Sequence, residues 1–275
     1  WAFTSRDPQR DFNAATMFAA ASHALRGYND ALADRALKQS KRLLKEATEL
    51  MAKRPQNGNK SRSGAGGNIS ANLQLYVATG EQEYLYKFEA MLWPSLDRNV
   101  NRSLQTALDA IPYLGEEYKE KLRPYVEEFK TFIEDLEKDN PYGVPIGLGN
   151  WAGGGQVLNH GTTVCYASKY YPEIIDKAHA YKVAEWFFGR HPYHNYSLVA
   201  TVGAARPKEV FYGNNRADFS FIPGNVAPGV LFRHPDHFEN YDDWPFLWGQ
   251  NEGTIGGNTS YLIFGSAFKN LVRGE

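Results

Sequence analysis

Apolar residues recur at helical spacing through the first half of the chain. In residues 11–26, Phe12, Ala15 and Ala19 lie on one helical face and Gly27 follows as a stop, while leucines and alanines form a second amphipathic stripe in residues 30–53. The same spacing predicts further helices over residues 68–78, 81–92, 101–110, 116–138, 157–170, 172–188 and 260–271. The pattern therefore predicts a helical protein.

Three stretches between these helices lack periodicity. Residues 55–67 are polar, residues 140–155 are rich in Pro and Gly, and residues 189–253 form a long irregular region. Loops of that length inside a compact domain are usually functional. We therefore look for functional residues in the second half of the chain.

The predicted helices come in pairs joined by short turns. Such hairpins build either an α-solenoid or a closed barrel of helix pairs. A tetratricopeptide array needs a repeat of about 34 residues, and the irregular region after residue 189 has no place in one. We therefore expect an all-α fold, a closed barrel of helical hairpins whose long loops gather at one mouth and form a cleft.

The composition excludes several kinds of partner. The chain has 275 residues, 43% of them hydrophobic, enough for one sizeable core or two small ones. Its 30 basic and 31 acidic residues give a net charge of -1 and form no basic stripe, so we expect no nucleic-acid partner. No hydrophobic run reaches membrane-spanning length, so we expect no membrane partner either.

The cysteine and histidine content predicts no cofactor. Cys165 is the only cysteine, which excludes an internal disulfide, and its apolar surroundings predict a buried, inert thiol. His234, Asp236 and His237 are either metal ligands or polar loop residues, and no further cluster completes a coordination shell. We expect no cofactor and leave a structural calcium open.

Glu252 is the strongest candidate for chemistry. It follows an aromatic loop containing Trp244 and Trp248 and precedes the final predicted helix. Hydrolysis of a glycosidic bond needs one carboxylic acid to protonate the leaving oxygen, and an apolar setting keeps such an acid protonated near neutral pH. The alternative is a glutamate that interacts with the free amides of a helix N-terminus.

Several segments resemble glycoside hydrolase family 9 in their order along the chain. Residues 75–85 read Leu-Tyr-Val-Ala-Thr-Gly and end in Tyr-Leu, and residues 151–159 begin with Trp and end in Leu-Asn. Then come Phe-Gly-Arg-His-Pro at residues 188–192, Pro-Gly-Val-Leu at residues 228–231, Tyr-Asp-Asp at residues 241–243, and Asn-Glu at residues 251–252. This order is similar to the C-terminal part of the catalytic domains of that family.

The resemblance implies an (α/α)6 barrel that cleaves its substrate with inversion at the anomeric carbon. Glu252 would be the general acid and Trp151 a platform on which a sugar stacks. Arg216 matches an arginine that holds substrate hydroxyls, but Asn214 stands where the family has a histidine, and Gly257 replaces a tyrosine. Tyr241 and Asp243 would position substrate or orient Glu252, Trp248 would line the cleft, and His160 would face the cleft or cap a helix.

The family's catalytic base lies in an Asp-Ala-Gly-Asp motif, which this chain lacks. The opening Trp1-Ala2-Phe3 resembles the middle of a protein. The chain therefore lacks its base, through truncation, proteolysis or decay to a non-catalytic protein. We interpret residues 1–275 as the C-terminal portion of one catalytic domain, incomplete at its N-terminal end, with the missing part as a partner. The chain alone is expected to be nearly inactive, and the whole protein is expected to be secreted or periplasmic.

The leading hypothesis is a hydrolase that acts on a β-linked glucan or a related polysaccharide or oligosaccharide. The first alternative is a polysaccharide lyase or unsaturated-uronide hydrolase on a helical barrel, using Tyr212 with Arg216 or His191 with Tyr193. The second alternative is a non-catalytic glycan-binding protein.

Overall fold

The described part of the chain is almost entirely helical. The structure, a computed structural model, describes residues 6–53, 65–147, 153–190, 195–203, 206–207, 211–212, 222–229 and 252–274. The helices of these residues are α1 (Pro8–Leu25), α2 (Asp30–Ala52), α3 (Ala65–Thr79), α4 (Gln82–Arg98), α5 (Val100–Lys138), α6 (Gly154–Tyr170), α7 (Ala178–Phe187) and α8 (Ile255–Arg273). Two-residue strands form two parallel pairs, β1 (Tyr196–Ser197) with β2 (Arg206–Pro207) and β3 (Phe211–Tyr212) with β4 (Glu252–Gly253).

The chain divides into two compact units, Trp1–Leu122 and Arg123–Glu275. The two units are defined by their compactness, which does not test whether residues 1–275 belong to one catalytic domain. That interpretation therefore stays a prediction. Among the described residues, no helix combines the length and the apolar character needed to cross a membrane.

Small residues let the helices of the first unit approach closely. Ala15 and Ala19 of α1 are fully buried, and the hydroxyl of Ser40 in α2 donates a hydrogen bond of 2.7 Å to the backbone carbonyl of Ala15. Because Ser40 is itself buried, this bond satisfies its hydroxyl where no water reaches it. The core of this unit contains Phe12, Ala15, Ala19, Leu44, Ala47, Ala71 and Leu75.

The core of the second unit is built around α6. This helix packs against α7 and α8, and its Gly161 leaves room for the ring of Phe264 and the side chain of Val183. The largest buried side chains of α7 are Trp186 and Phe187, whose rings meet edge to face at 5.0 Å. Aromatic pairs of this geometry stabilise a core beyond their buried area.

Two predicted helix ends in the first half need correction. The prediction that Pro94 follows the end of a helix is wrong, because α4 continues through Pro94 to Arg98. Proline removes one backbone donor, but Leu92 and Leu96 on either side are buried and hold the helix in place. The predicted helices over residues 101–110 and 116–138 both exist within α5, and Gly115, at φ 79, breaks the helical geometry between them.

All three helices that the structure describes in the second half begin elsewhere than predicted, and α6 begins at Gly154 rather than residue 157. The helix expected from residue 172 begins at Ala178, because residues 171–177 form turns in which the Asp176 carboxylate accepts from the backbone N–H of Ala178 at 2.9 Å. The final helix begins at Ile255 rather than residue 260, because the hydroxyl of Thr254 accepts from the backbone N–H of Gly257 at 3.0 Å and caps it.

Candidate functional site

Glu252 lies at the junction between β4 and α8. Strand β4 is held by β3, with Phe211 opposite Glu252. Two residues later the cap formed by Thr254 starts the helix. The Glu252 side chain is half-buried. The strand pairing at residues 252–253 and the helix cap at Thr254 therefore fix the backbone at the candidate acid and directly after it.

One short segment joins the N-terminal ends of α6 and α8. At residues 222–229, the carbonyl of Pro228 accepts from the backbone N–H of Gly154 at 2.8 Å, at the start of α6. In the same segment, the Oδ1 of Asn225 accepts from Nδ2 of Asn258 at 2.6 Å, in the first turn of α8. The segment thus connects the helix that follows Trp151 in the sequence with the helix that follows Glu252.

His160 is buried in the second unit. Its Nδ1 lies 2.9 Å from the carbonyl of Pro145, and because a carbonyl only accepts, Nδ1 carries the proton. The rings of Phe129 and Phe132 meet the imidazole edge to face. Burial lowers the pKa of His160, so the ring is neutral near pH 7. Its expected contact with substrate stays a prediction.

The other predicted site residues lie outside the described residues. They are Trp151, Asn214, Arg216, Tyr241, Asp243 and Trp248. The same holds for the candidate metal ligands His234, Asp236 and His237, and for three residues of the lyase hypothesis, His191, Tyr193 and Arg216. Their roles stay predictions.

The described residues hold neither a metal-binding cluster nor an exposed thiol. Within them, no group of three or more His, Cys, Asp or Glu side chains has the arrangement needed to hold a metal ion. Cys165 is 3% exposed, and burial raises its pKa to about 12. The prediction of a buried, inert thiol is therefore confirmed.

Sequence reasoning did not single out Asn225. Its side chain is buried beside the junction that carries Glu252, and its partner Asn258 lies 33 residues further along the chain. An asparagine in a Pro-Gly-Asn run looks like an ordinary turn residue in the sequence. Only the tertiary contact with α8 distinguishes it.

A family model described as Glycosyl hydrolase family 9 matches residues 7–264. The match takes in almost the whole chain. The chain belongs to glycosyl hydrolase family 9. The resemblance found in the order of the sequence motifs is thereby confirmed.

Solved structures of family 9 proteins share the fold of this family 9 chain. A metagenome-derived family 9 endoglucanase is 22% identical, covers 94% of this chain and 52% of its own, and has a TM-score of 0.72. An endoglucanase from the termite Nasutitermes takasagoensis is 14% identical, with 98% and 66% covered and a TM-score of 0.76. A family 9 protein from Bacteroides ovatus is 18% identical, with 95% and 53% covered and a TM-score of 0.71.

These likenesses confirm the predicted fold class, the all-α (α/α)6 type of family 9. The chain spans between about half and two thirds of the length of these three structures. No curated protein sequence matches the chain significantly.

Proposed function

We propose that this chain carries the general acid, Glu252, of an inverting glycoside hydrolase that cuts a β-linked glucan or a related polysaccharide or oligosaccharide. The observation that carries the proposal is the position of Glu252. It lies half-buried on the short strand that leads into α8, in a chain that family 9 matches over residues 7–264. Two of the similar solved structures are named endoglucanases, which favours a glucan substrate.

The proposed reaction needs two carboxyl groups on opposite faces of one sugar ring. The protonated Glu252 gives its proton to the glycosidic oxygen as the bond from that oxygen to the anomeric carbon breaks. A second carboxylate, about 6.5–9.5 Å away in inverting enzymes, takes a proton from the water that attacks the opposite face. Trp151 supports the sugar ring from below, and Arg216 holds its hydroxyls.

We assign the second carboxylate to a part of the catalytic domain outside this chain, because no Asp-Ala-Gly-Asp motif occurs in the sequence. The partner of the chain is then the remaining helical part of the same domain. The similar structures are longer than this chain, which covers 52–66% of them. A polysaccharide substrate is a polymer found outside the cell. We therefore also propose that the whole protein is secreted or periplasmic.

The surface of α1 supports this partner. The helix carries no charged residue between Phe12 and Ser22, yet Met17 is 71% exposed. A groove of about 550 Å³ lies against α1 and α2, and it is lined by Phe18, Leu32, Arg35, Ala36, Lys38, Gln39, Arg42 and Leu43. A helical surface that exposes large apolar side chains usually marks a contact surface. We therefore propose that a further helix of the catalytic domain covers Met17 and Phe18.

The test uses azide in place of the missing base. Azide attacks the anomeric carbon of a β-linked oligosaccharide, the bond to the leaving oxygen breaks, and Glu252 protonates that oxygen, which leaves an α-glycosyl azide. We expect this product from the chain with azide and almost no turnover without it. Glu252→Gln should lower the azide-dependent rate by about 10²- to 10⁴-fold, because glutamine carries no transferable proton. Glu128→Gln, an exposed glutamate of α5, serves as the matched control.

Each other outcome contradicts a stated part of the proposal. Robust hydrolysis without azide would show that the base lies within this chain. An unsaturated product that absorbs in the ultraviolet would identify a lyase. Glycan binding without any bond cleavage, equal in the chain and in Glu252→Gln, would identify a binding protein.

A further inference from the structure

Asn225 forms the buried centre of a partly buried amide network next to Glu252. Its side chain is 5% exposed. Its Oδ1 accepts two hydrogen bonds, from Nδ2 of Asn258 at 2.6 Å and from the backbone N–H of Val226 at 3.0 Å. The Oδ1 of Asn258 accepts from the same Val226 N–H at 3.1 Å. The two side chains therefore bind each other and share one backbone donor.

The backbone of Asn225 is anchored to the core of the second unit. Its carbonyl accepts from the N–H of Ala200 at 2.9 Å, and the N–H of Ala227 donates to the carbonyl of Leu198 at 2.8 Å. Leu198 in turn donates to the carbonyl of Phe187, at the end of α7. Leu198, Ala200 and Phe187 are all buried, so the backbone of Asn225 is held by buried residues.

Asn258 connects Asn225 to the start of α8. Its Nδ2 also donates to the carbonyl of Thr254 at 2.9 Å, in addition to the helical bond from its backbone N–H to the same carbonyl at 3.0 Å. Thr254 follows Glu252 by two residues. A movement of the start of α8 would therefore break the hydrogen bond between Asn258 and Asn225.

Gly253 provides the second connection. A β-carbon placed on this residue would lie 2.7 Å from Oδ1 and 2.8 Å from Cγ of Asn225, well inside contact distance. The amide of Asn225 thus occupies the space that a β-carbon of residue 253, the residue directly after Glu252, would need. On strand β4, Gly253 is also paired with Tyr212 of β3.

We propose that Asn225 and Asn258 are positioning residues that hold the carboxyl of Glu252 at the distance required for proton transfer. The inference rests on the proposed role of Glu252 as general acid. Such transfer needs the donor within about 2.6–3.2 Å of the accepting atom. A displacement of about 1 Å lowers the rate by as much as 10²-fold. Asn225 and Asn258 thus form a clamp on the backbone of residues 253 and 254. The clamp controls the distance from the Glu252 carboxyl to the accepting atom and does not touch the substrate.

The first experiment compares two substrates whose leaving groups differ in their need for protonation. The comparison separates positioning of Glu252 from simple stabilisation of the fold. The dinitrophenolate group of a dinitrophenyl glycoside leaves without protonation, whereas the sugar leaving group of an unmodified oligosaccharide must be protonated by the acid. In the azide-dependent reaction we expect Asn258→Ala to lower the rate on the oligosaccharide by about 10- to 100-fold and to leave the dinitrophenyl glycoside nearly unchanged. Asn270→Ala, the same truncation at an exposed position on the same helix, should change neither rate.

The outcomes of this experiment are distinct. If Glu252→Gln shows the selective loss and Asn258→Ala does not, the clamp is refuted while the proposed function stands. If Glu252→Gln shows no selective loss, the proposed function itself fails, and the clamp with it. Equal losses on both substrates in Asn258→Ala would reduce the pair to a structural role and refute positioning.

The second experiment needs no turnover. Hydrogen exchange of the backbone amides of residues 252–258, followed by mass spectrometry, should become at least about 10-fold faster in Asn258→Ala and Asn225→Ala because local opening becomes easier. Exchange should not change in Asn270→Ala. Unchanged exchange in both clamp variants would overturn the proposal whatever the activity of the chain.

A double substitution tests the contact with Gly253 directly. Gly253→Ala should speed exchange at residues 252–258 on its own, because the new methyl group meets the amide of Asn225. In an Asn225→Ala background the space is free, so the same methyl group should add little further effect. Residues in contact give such non-additive results, and additive effects would exclude the proposed contact.

Discussion

Asp109 lies on the first half of α5, where its carboxylate accepts a hydrogen bond of 2.9 Å from Nε2 of Gln105. Burial raises the pKa of Asp109 to about 6, and the hydrogen bond offsets only part of this effect. The folded chain therefore holds this proton more tightly than the unfolded chain does. Stability should fall as the pH rises from about 4 to about 6, and the loss should be complete above that range.

We predict that Asp109→Asn stabilises the chain near neutral pH by about 2 kcal/mol, since two pKa units correspond to nearly 3 kcal/mol and the amide nitrogen needs a partner of its own. The amide oxygen can still accept from Gln105. Urea unfolding at several pH values should show the gain above about pH 6 and its disappearance near pH 4. Asp135→Asn, at an exposed position of the same helix, serves as the matched control. A gain that is equal at all pH values would contradict the assignment.

Single residues differ in how well the sequence predicts them. The buried thiol of Cys165 follows from its apolar neighbours in the chain. The surroundings of Asp109 do not, because neighbouring charges are visible in a sequence whereas the burial of one helical face is not. Asn225 is missed for the same reason, since its partner Asn258 lies on a distant helix.

At the scale of elements, α6 is the helix against which α7 and α8 pack. Gly161 lies at a close approach of these helices, because a β-carbon there would lie 2.8 Å from both the Phe264 ring and a methyl group of Val183. Close packing of this kind tolerates little added volume. The glycine, which lowers intrinsic helix stability, is therefore needed for the contact between helices.

Gly161→Ala should destabilise the second unit by about 1–3 kcal/mol, because Phe264 or Val183 must move. Gly155→Ala, in the first turn of the same helix, should be neutral or stabilising by up to about 1 kcal/mol, because alanine favours the helix and nothing lies within 4 Å of the new methyl group. Thermal unfolding followed by circular dichroism compares the two variants. A loss of the same size in both would show that the contact with α8 does not matter.

Helix existence follows from local periodicity, whereas helix ends depend on contacts that the pattern does not contain. The stripe of apolar residues predicts α2 and the second half of α5. Pro94 does not end α4, because buried leucines on both sides hold it. Pro172 precedes a turn rather than a helix, since Asp176 caps the backbone further along the chain.

At the scale of the molecule, α1 exposes large apolar side chains. Met17 is 71% exposed and Phe18 is 40% exposed. Exposed apolar patches of this kind usually mark contact surfaces. Under the proposed function, a further helix of the same catalytic domain covers this surface.

We expect the chain alone to bind a hydrophobic dye and to self-associate at high concentration through this surface. Met17→Glu should reduce both effects, because a charge in the apolar patch must remain hydrated. Tyr86→Glu, at a similarly exposed position of α4 with a side chain that is 68% exposed, is the matched control. Dye fluorescence and sedimentation velocity provide the measurements. Equal effects of the two substitutions would exclude α1 as the contact surface.

The amino-acid sequence by itself determined the helical class, the pairing of helices into hairpins and the family, because periodicity and motif order are properties of the chain read locally. It also pointed to Glu252, which stands in a motif of contiguous residues. The tertiary structure decided where each helix begins and ends, which carboxyl group is buried, and that Asn225 and Asn258 meet beside Glu252. These features depend on residues far apart in the chain, which come into contact and become buried only when the helices pack.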